Sequence, residues 1–199
     1  MRLITVGSIV LSLIGIVGCA ETPAPPAAEA SASGTSDAEA FVGNWRLAGI
    51  ERRDAEDQPL PLNPGALGEG ATGFIMYDAG GYMGVVIQAA DRGRYAGERR
   101  TPEEALEDLR SYVSYFGRYT VDDEEGVVTH HLVGSLFPGG AGSDYRRAYE
   151  LTGDRLILQP PPNDAGEVTR LTWERVPKLA DPSAEQRRFF GFWRLGGIE

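Results

Sequence analysis

From Phe41 onward the chain alternates short aromatic or β-branched runs with breaks rich in glycine and acid, a pattern of strands joined by turns. The spacing predicts a first strand over 41–53, followed by a polar, proline-rich loop to Gly70. Phe74-Ile-Met-Tyr77 and Tyr82-Met-Gly-Val-Val-Ile87 then flank Asp78-Ala-Gly-Gly81, a hairpin turn whose glycines accept positive φ. The next segment changes period. Thr101-Pro-Glu-Glu104 is a capping box with proline at the first helical position, which predicts a helix to about Tyr115 with Leu106, Leu109 and Val113 as its buried stripe. Strands resume over 116–121 and, after an acidic turn, over 127–136, 145–151, 155–158 and 168–176. The reading is mainly β: eight antiparallel strands with one α-helix inserted after the third. Eight strands close into an up-and-down barrel whose interior holds side chains or one small ligand.

The chain before this region reads differently. Arg2 is followed by an apolar run from Leu3 to Val17, shorter than the roughly 18 residues a spanning helix wants and suited to the core of a signal peptide. The run ends in Ile16-Val-Gly-Cys19, which resembles the lipobox of bacterial lipoproteins. That resemblance implies cleavage after residue 18 and lipid attachment at Cys19, and several acyl chains together anchor stably where one does not. Ala20 in place of an inner-membrane retention aspartate favours the outer membrane in an organism that has two. Residues 19–40 form a Pro/Ala/Ser-rich linker with too little apolar surface to fold. The expectation is an exported protein tethered to the cell envelope.

Charge narrows the partners. The formal net charge is −10, the cations are almost all arginine, and they lie scattered among carboxylates, so nucleic acid is a poor partner. Cys19 is the single cysteine, which excludes an intramolecular disulfide. His130 and His131 are adjacent, so on a strand they face opposite ways and cannot share one metal ion. No metal and no cofactor is expected, with haem on one histidine as the weaker alternative. No nucleophile elbow, HExxH helix, phosphate loop or dinucleotide fingerprint is present.

Several motifs, taken in order, resemble the bacterial lipocalin-like domain proteins of the calycin group. Phe41-Val-Gly-Asn-Trp-Arg-Leu47 is similar to the Gly-x-Trp opening of the first lipocalin strand. Ile75-Met-Tyr77 with Gly81-Tyr-Met83, Tyr115-Phe-Gly-Arg-Tyr119, Val128-Thr-His-His131, Ser135-Leu-Phe-Pro138, Arg147-Ala-Tyr-Glu-Leu151 and Leu171-Thr-Trp-Glu-Arg175 follow. The loop after Pro138, Gly-Gly-Ala-Gly, departs from the more polar loop usual in that family. The resemblance places a lipocalin-like barrel at 41–176. It implies that Gly43, Trp45 and Arg175 close one barrel end, with Arg175 packed on the Trp45 ring by a cation–π contact.

A repeat lies beyond the barrel. Phe189-Phe-Gly-Phe-Trp-Arg-Leu-Gly-Gly-Ile-Glu199 matches Phe41–Glu51 at eight of eleven positions, which chance does not explain. Residues 177–188 are then a linker, and 189–199 the first strand of a second copy cut short, or else a ninth strand.

Strand alternation sorts the candidate chemistry by face. It places Tyr115, Gly117, Tyr119 and Val121 on one inward row, Arg147, Tyr149 and Leu151 on another, and Met83, Val85 and Ile87 on a third. Trp45, Leu47 and Gly49 line the first strand, and Leu171, Trp173 and Arg175 the last. An interior arginine needs a partner, and no acid shares an obvious inward row with Arg147. The expectation is therefore a mostly apolar cavity contacting ligand through Met83, Tyr119, His130, Arg147 and Tyr149. Its polar floor of Tyr119, His130 and Arg147 would suit a small hydrophobic or amphipathic acid such as a fatty acid. An enzyme using His130 and Tyr119 as an acid–base pair is the alternative, and a filled structural or interaction module is a third class.

Overall fold

The computed structural model describes residues 36–196. The signal-peptide run, Cys19, most of the spacer and the last three residues of the repeat lie outside the described residues.

A short helix, α1 (Asp37–Phe41), is capped by Ser36, whose side chain accepts the Glu39 N–H. The strands are β1 (Gly43–Arg53), β2 (Pro59–Leu60), β3 (Thr72–Tyr77) and β4 (Tyr82–Gln88), then, after helix α2 (Pro102–Arg110), β5 (Tyr112–Asp122), β6 (Val127–Ser135), β7 (Asp144–Thr152), β8 (Arg155–Gln159) and β9 (Val168–Arg175). A last helix, α3 (Ala184–Arg187), follows. Each strand pairs antiparallel with the next from β3 to β9, and β1 pairs with both β3 and β9, so eight strands close a ring. The short β2 lies outside that ring, on the end of β1.

The two ends of the barrel are built differently. The connections β3–β4, β5–β6 and β7–β8 are tight turns, and they lie at the end where β1 starts and β9 stops. Gly81, Gly126 and Gly153 supply positive φ in them, 80°, 65° and 57°. The opposite end carries the long connections: the 54–71 loop with β2, the segment 89–111 with α2, and the loops 136–143 and 160–167. Arg52 ties two of these together, donating to the Pro61 carbonyl, to Asn63 Oδ1 and to Glu167 Oε2 (2.7 Å). The core lies inside the ring, where Phe41, Trp45, Met83, Val128, His130 and Leu156 are wholly buried.

Three local expectations are corrected. Helix α2 stops at Arg110, because Ser111 turns its hydroxyl onto the Glu107 carbonyl and Tyr112-Val113 pair with β4. Leu106 and Leu109 are accordingly exposed, and Val113 packs against the core from a strand. Phe41 belongs to α1 and lies inside the barrel end, before the first strand begins. A bulge between Leu47 and Gly49 resets the alternation of β1, so Gly49 faces Thr172 and Ile50, partnered with Leu171, takes the place in the core. Residues 189–196 form no strand.

Candidate functional site

The plugged end follows from the chain entering the barrel as a helix. Ser36 starts α1, α1 delivers Phe41 into the lumen, and the Trp45 indole N–H donates to the Phe41 carbonyl at 2.9 Å. Arg175, at the end of β9, lays its guanidinium 4.0 Å above the Trp45 ring. The same group donates to the carbonyls of Val42 and Ala40 and to Asp154. Gly43 has φ +146°, and a Cβ there would come to 3.0 Å from Arg175 Nη1, so the closure leaves no room for a side chain. Tyr149 belongs to this plug: its ring packs edge-on against Phe41, and its hydroxyl donates to Asp37 at 2.6 Å. Burial and the Asp37 carboxylate both push that phenol well above its usual range.

His130 occupies the middle of the lumen on β6, fully buried. Its Nε2 lies 2.8 Å from the Tyr77 hydroxyl and its Nδ1 3.1 Å from that of Tyr115. Burial, with the nearby Arg147 charge adding to it, lowers the imidazole to about 3, so the ring is neutral near pH 7. A neutral imidazole donates from one nitrogen and accepts at the other. Tyr77 is buried, and its hydroxyl has His130 as its partner among the described residues. A buried O–H needs an acceptor, which assigns Tyr77 as donor to Nε2 and places the ring proton on Nδ1, donating to Tyr115. The hydrogen of the Tyr115 hydroxyl is then free for another acceptor.

Arg147 completes the group. It stands on the inward row of β7, partly exposed, with its guanidinium 5.1 Å from the Tyr145 ring centroid. It donates to its neighbour's carbonyl at Arg146 and, among the described residues, enters no ion pair. Tyr145 packs edge-on against Tyr115 at 5.6 Å. Burial pushes the Tyr115 phenol up, and the adjacent Arg147 charge partly offsets this. A second lumen donor, the indole N–H of Trp173, is buried without a hydrogen-bond partner among the described residues.

The structure thus brings His130 and Arg147 together and places Met83, wholly buried, in the same core. Tyr119 sits directly opposite His130 on β5, but its hydroxyl donates to the Asp78 carbonyl at the hairpin turn. The acid–base pair of His130 and Tyr119 on which the alternative enzyme reading rested is therefore not formed. Tyr77 and Tyr115 take the polar role instead, with the Tyr145 ring packed between Tyr115 and Arg147. Alternation was the available signal, since Tyr145 is two residues before Arg147 and Tyr115 shares the row of Tyr119. Both ring nitrogens of His130 are engaged, which leaves neither free to ligate haem. His131 points outward, held between Thr120 and Asp144. Among the described residues no three His, Cys, Asp or Glu side chains are grouped to hold a metal.

A closed antiparallel barrel of eight strands, plugged at one end by a tryptophan under an arginine and lined by apolar side chains around a small polar group, defines a lipocalin-type barrel. The chain belongs to the lipocalin-like domain family, whose model matches residues 42–176. It is 33% identical over 89 residues to the 4'-hydroxy-3'-methoxypropiophenone carrier protein ppsC of Aspergillus oryzae, a match spanning 40% of this chain and 80% of that relative. Among solved structures, wild-type fluorescent protein UnaG is 20% identical with a TM-score of 0.30, covering 69% of this chain and 98% of its own. A point mutant of UnaG is 16% identical with a TM-score of 0.34, covering 69% and 96%.

Proposed function

We propose that the protein is a non-catalytic carrier. In this reading its barrel takes up one small amphipathic molecule, with the apolar body in the lumen and an oxygen acceptor on Tyr115 and Arg147, and the lipid on Cys19 holds it at the cell envelope. The observation that carries this reading is Arg147, a lumen cation beside two tyrosines with no carboxylate partner among the described residues. A cation so placed wants an anionic or strongly accepting guest. The unpartnered Trp173 N–H adds a second group that a guest's oxygen can satisfy. The fungal relative is named for carrying a phenolic aryl ketone. A compact aromatic with a hydroxyl and a carbonyl has the same requirements: an apolar slot with tyrosine and arginine donors at one end. The exported, tethered setting rests on the Ile16–Cys19 motif and the linker behind it.

Calorimetric titration with 4'-hydroxy-3'-methoxypropiophenone and with dodecanoate tests the reading. A hydrogen bond to a charged group contributes about 1.5–3 kcal/mol, so Arg147→Leu is expected to weaken binding of the preferred probe about 10- to 100-fold. Tyr115→Phe should weaken it less. Unchanged affinity in Arg147→Leu would remove the polar anchor from the account.

A further inference from the structure

The segment after β9 repeats more than the sequence of β1. Ser183 caps α3 as Ser36 caps α1, each accepting a backbone N–H three residues on. The Trp193 indole N–H donates to the Phe189 carbonyl at 3.2 Å, as that of Trp45 does to Phe41 at 2.9 Å. Gly191 takes φ +106°, and Gly43 takes +146° at the matching place. The segment therefore keeps the tryptophan-to-carbonyl hook that plugs the first barrel, behind a short capped helix that ends at Arg187, before Phe189, whereas α1 runs to Phe41 itself. The environments differ completely. Phe41 and Trp45 are wholly buried, whereas Phe189, Trp193 and Leu195 are 71%, 74% and 75% exposed.

The three positions at which the repeat differs are informative. Phe190, Phe192 and Gly196 stand where the first copy has Val42, Asn44 and Ala48. Asn44 and Ala48 point away from the lumen of the first barrel, while the retained Trp and Leu point into it. The side that plugs a barrel is thus kept, and the other side has gained two phenylalanines. Those two are turned toward the first barrel. Phe190 and Phe192 line a cleft of about 640 Å³ against the β3–β4 hairpin and the end of β9, and Phe192 stacks on Tyr82 at 5.9 Å over the bare backbone of Gly84.

We infer that Phe189–Glu199 is the first strand of a second lipocalin-like barrel, with Trp193 and Leu195 facing into that barrel and Phe190 and Phe192 joining its outer wall to the first. The partner that fits the exposed hook is a ring of strands of this same kind, ending in an arginine that covers Trp193 as Arg175 covers Trp45. An apolar strand of this composition left uncovered invites irregular pairing, and a cognate barrel removes that surface.

The test extends the chain with its own parts. Residues 52–176 are appended after Glu199, so that the repeat must serve as first strand. A format control replaces 189–199 by 41–51 before the same extension, and a third chain joins the extension directly to Arg188. Hydrogen exchange of the 189–199 peptides is expected to slow by about 100-fold or more in the extended chain, as for amides that open only with a folded unit. The appended unit should fold in the first two chains and fail in the third. If the control folds while the extended chain keeps a fast-exchanging 189–199 segment, or if the Arg188 fusion folds equally well, the inference is overturned. Phe190→Val with Phe192→Asn in the extended chain should leave both barrels folded and raise the radius of gyration. An unchanged radius would overturn the docking face. None of these readouts depends on a ligand, so failure of the carrier reading and failure of this one are separate events.

Discussion

The plugged end and the polar middle of the lumen use the same residue types to opposite effect. At the plug each polar side chain has its partner: Trp45 donates to Phe41, Arg175 to two carbonyls and Asp154 from all three nitrogens, and Tyr149 to Asp37. Around His130 the groups are equally polar but one step short of satisfaction, with a free Tyr115 hydrogen and an arginine without a carboxylate. A satisfied network rigidifies, whereas a partly satisfied one is unstable unless something completes it. Satisfaction of donors, more than burial, sets the two groups apart, since Trp45 and His130 are equally buried, and under the carrier proposal the unsatisfied group is the one a guest completes.

The comparison can be broken most forcefully at the plug. Trp45→Ala removes a wholly buried indole together with the surface under Arg175, and is expected to cost about 3–5 kcal/mol in urea unfolding. A loss below about 1 kcal/mol would mean that the plug does not hold the barrel together.

A smaller effect comes from pH. The His130 imidazole is lowered from its ordinary 6.5 to about 3 in the folded chain, so the unfolded chain binds the extra proton first as the solution is acidified. Its contribution is complete above pH 6.5 and is lost as pH falls toward 3, at about 1.4 kcal/mol per unit. Between pH 6.5 and 5, before most carboxylates titrate, about 2 kcal/mol should disappear, and His130→Asn should flatten that slope. An equal slope in the variant would assign the pH dependence elsewhere.

The smallest effect on stability is expected at the other end. Arg52→Met cuts the link from β1 to the 54–71 and 160–167 loops, and a partly exposed pair of this kind contributes about 0.5 kcal/mol. Ligand dissociation followed by stopped flow should nevertheless quicken several-fold. Equal rates would show that these loops do not govern exchange.

Much of the ring was legible because alternation survives in most strands. Tyr115 through Val121 on β5 and Arg147 through Leu151 on β7 keep their faces as read. What was lost had local causes. The bulge in β1 shifted Gly49 out of line and Ile50 into it, and a period-two count has no term for one extra residue. The amphipathic spacing of Leu106 and Leu109 was real, but Ser111 and the pairing of Tyr112 and Val113 with β4 end the helix at Arg110, and both leucines stay exposed. The polar group was half legible. Alternation says which tyrosines look inward, but not that the Tyr119 hydroxyl would turn to a hairpin carbonyl while Tyr77, three places round the ring, reaches across to His130.

An even number of strands has one more consequence. In an up-and-down ring, parity decides whether the chain leaves by the door through which it came in. With eight strands in the ring, β1 starts and β9 stops at the same rim, so everything covalently joined to the barrel, upstream or downstream, is attached on one side. The opposite rim carries only loops that return to the barrel, and it stays clear of any attachment however many modules the chain acquires.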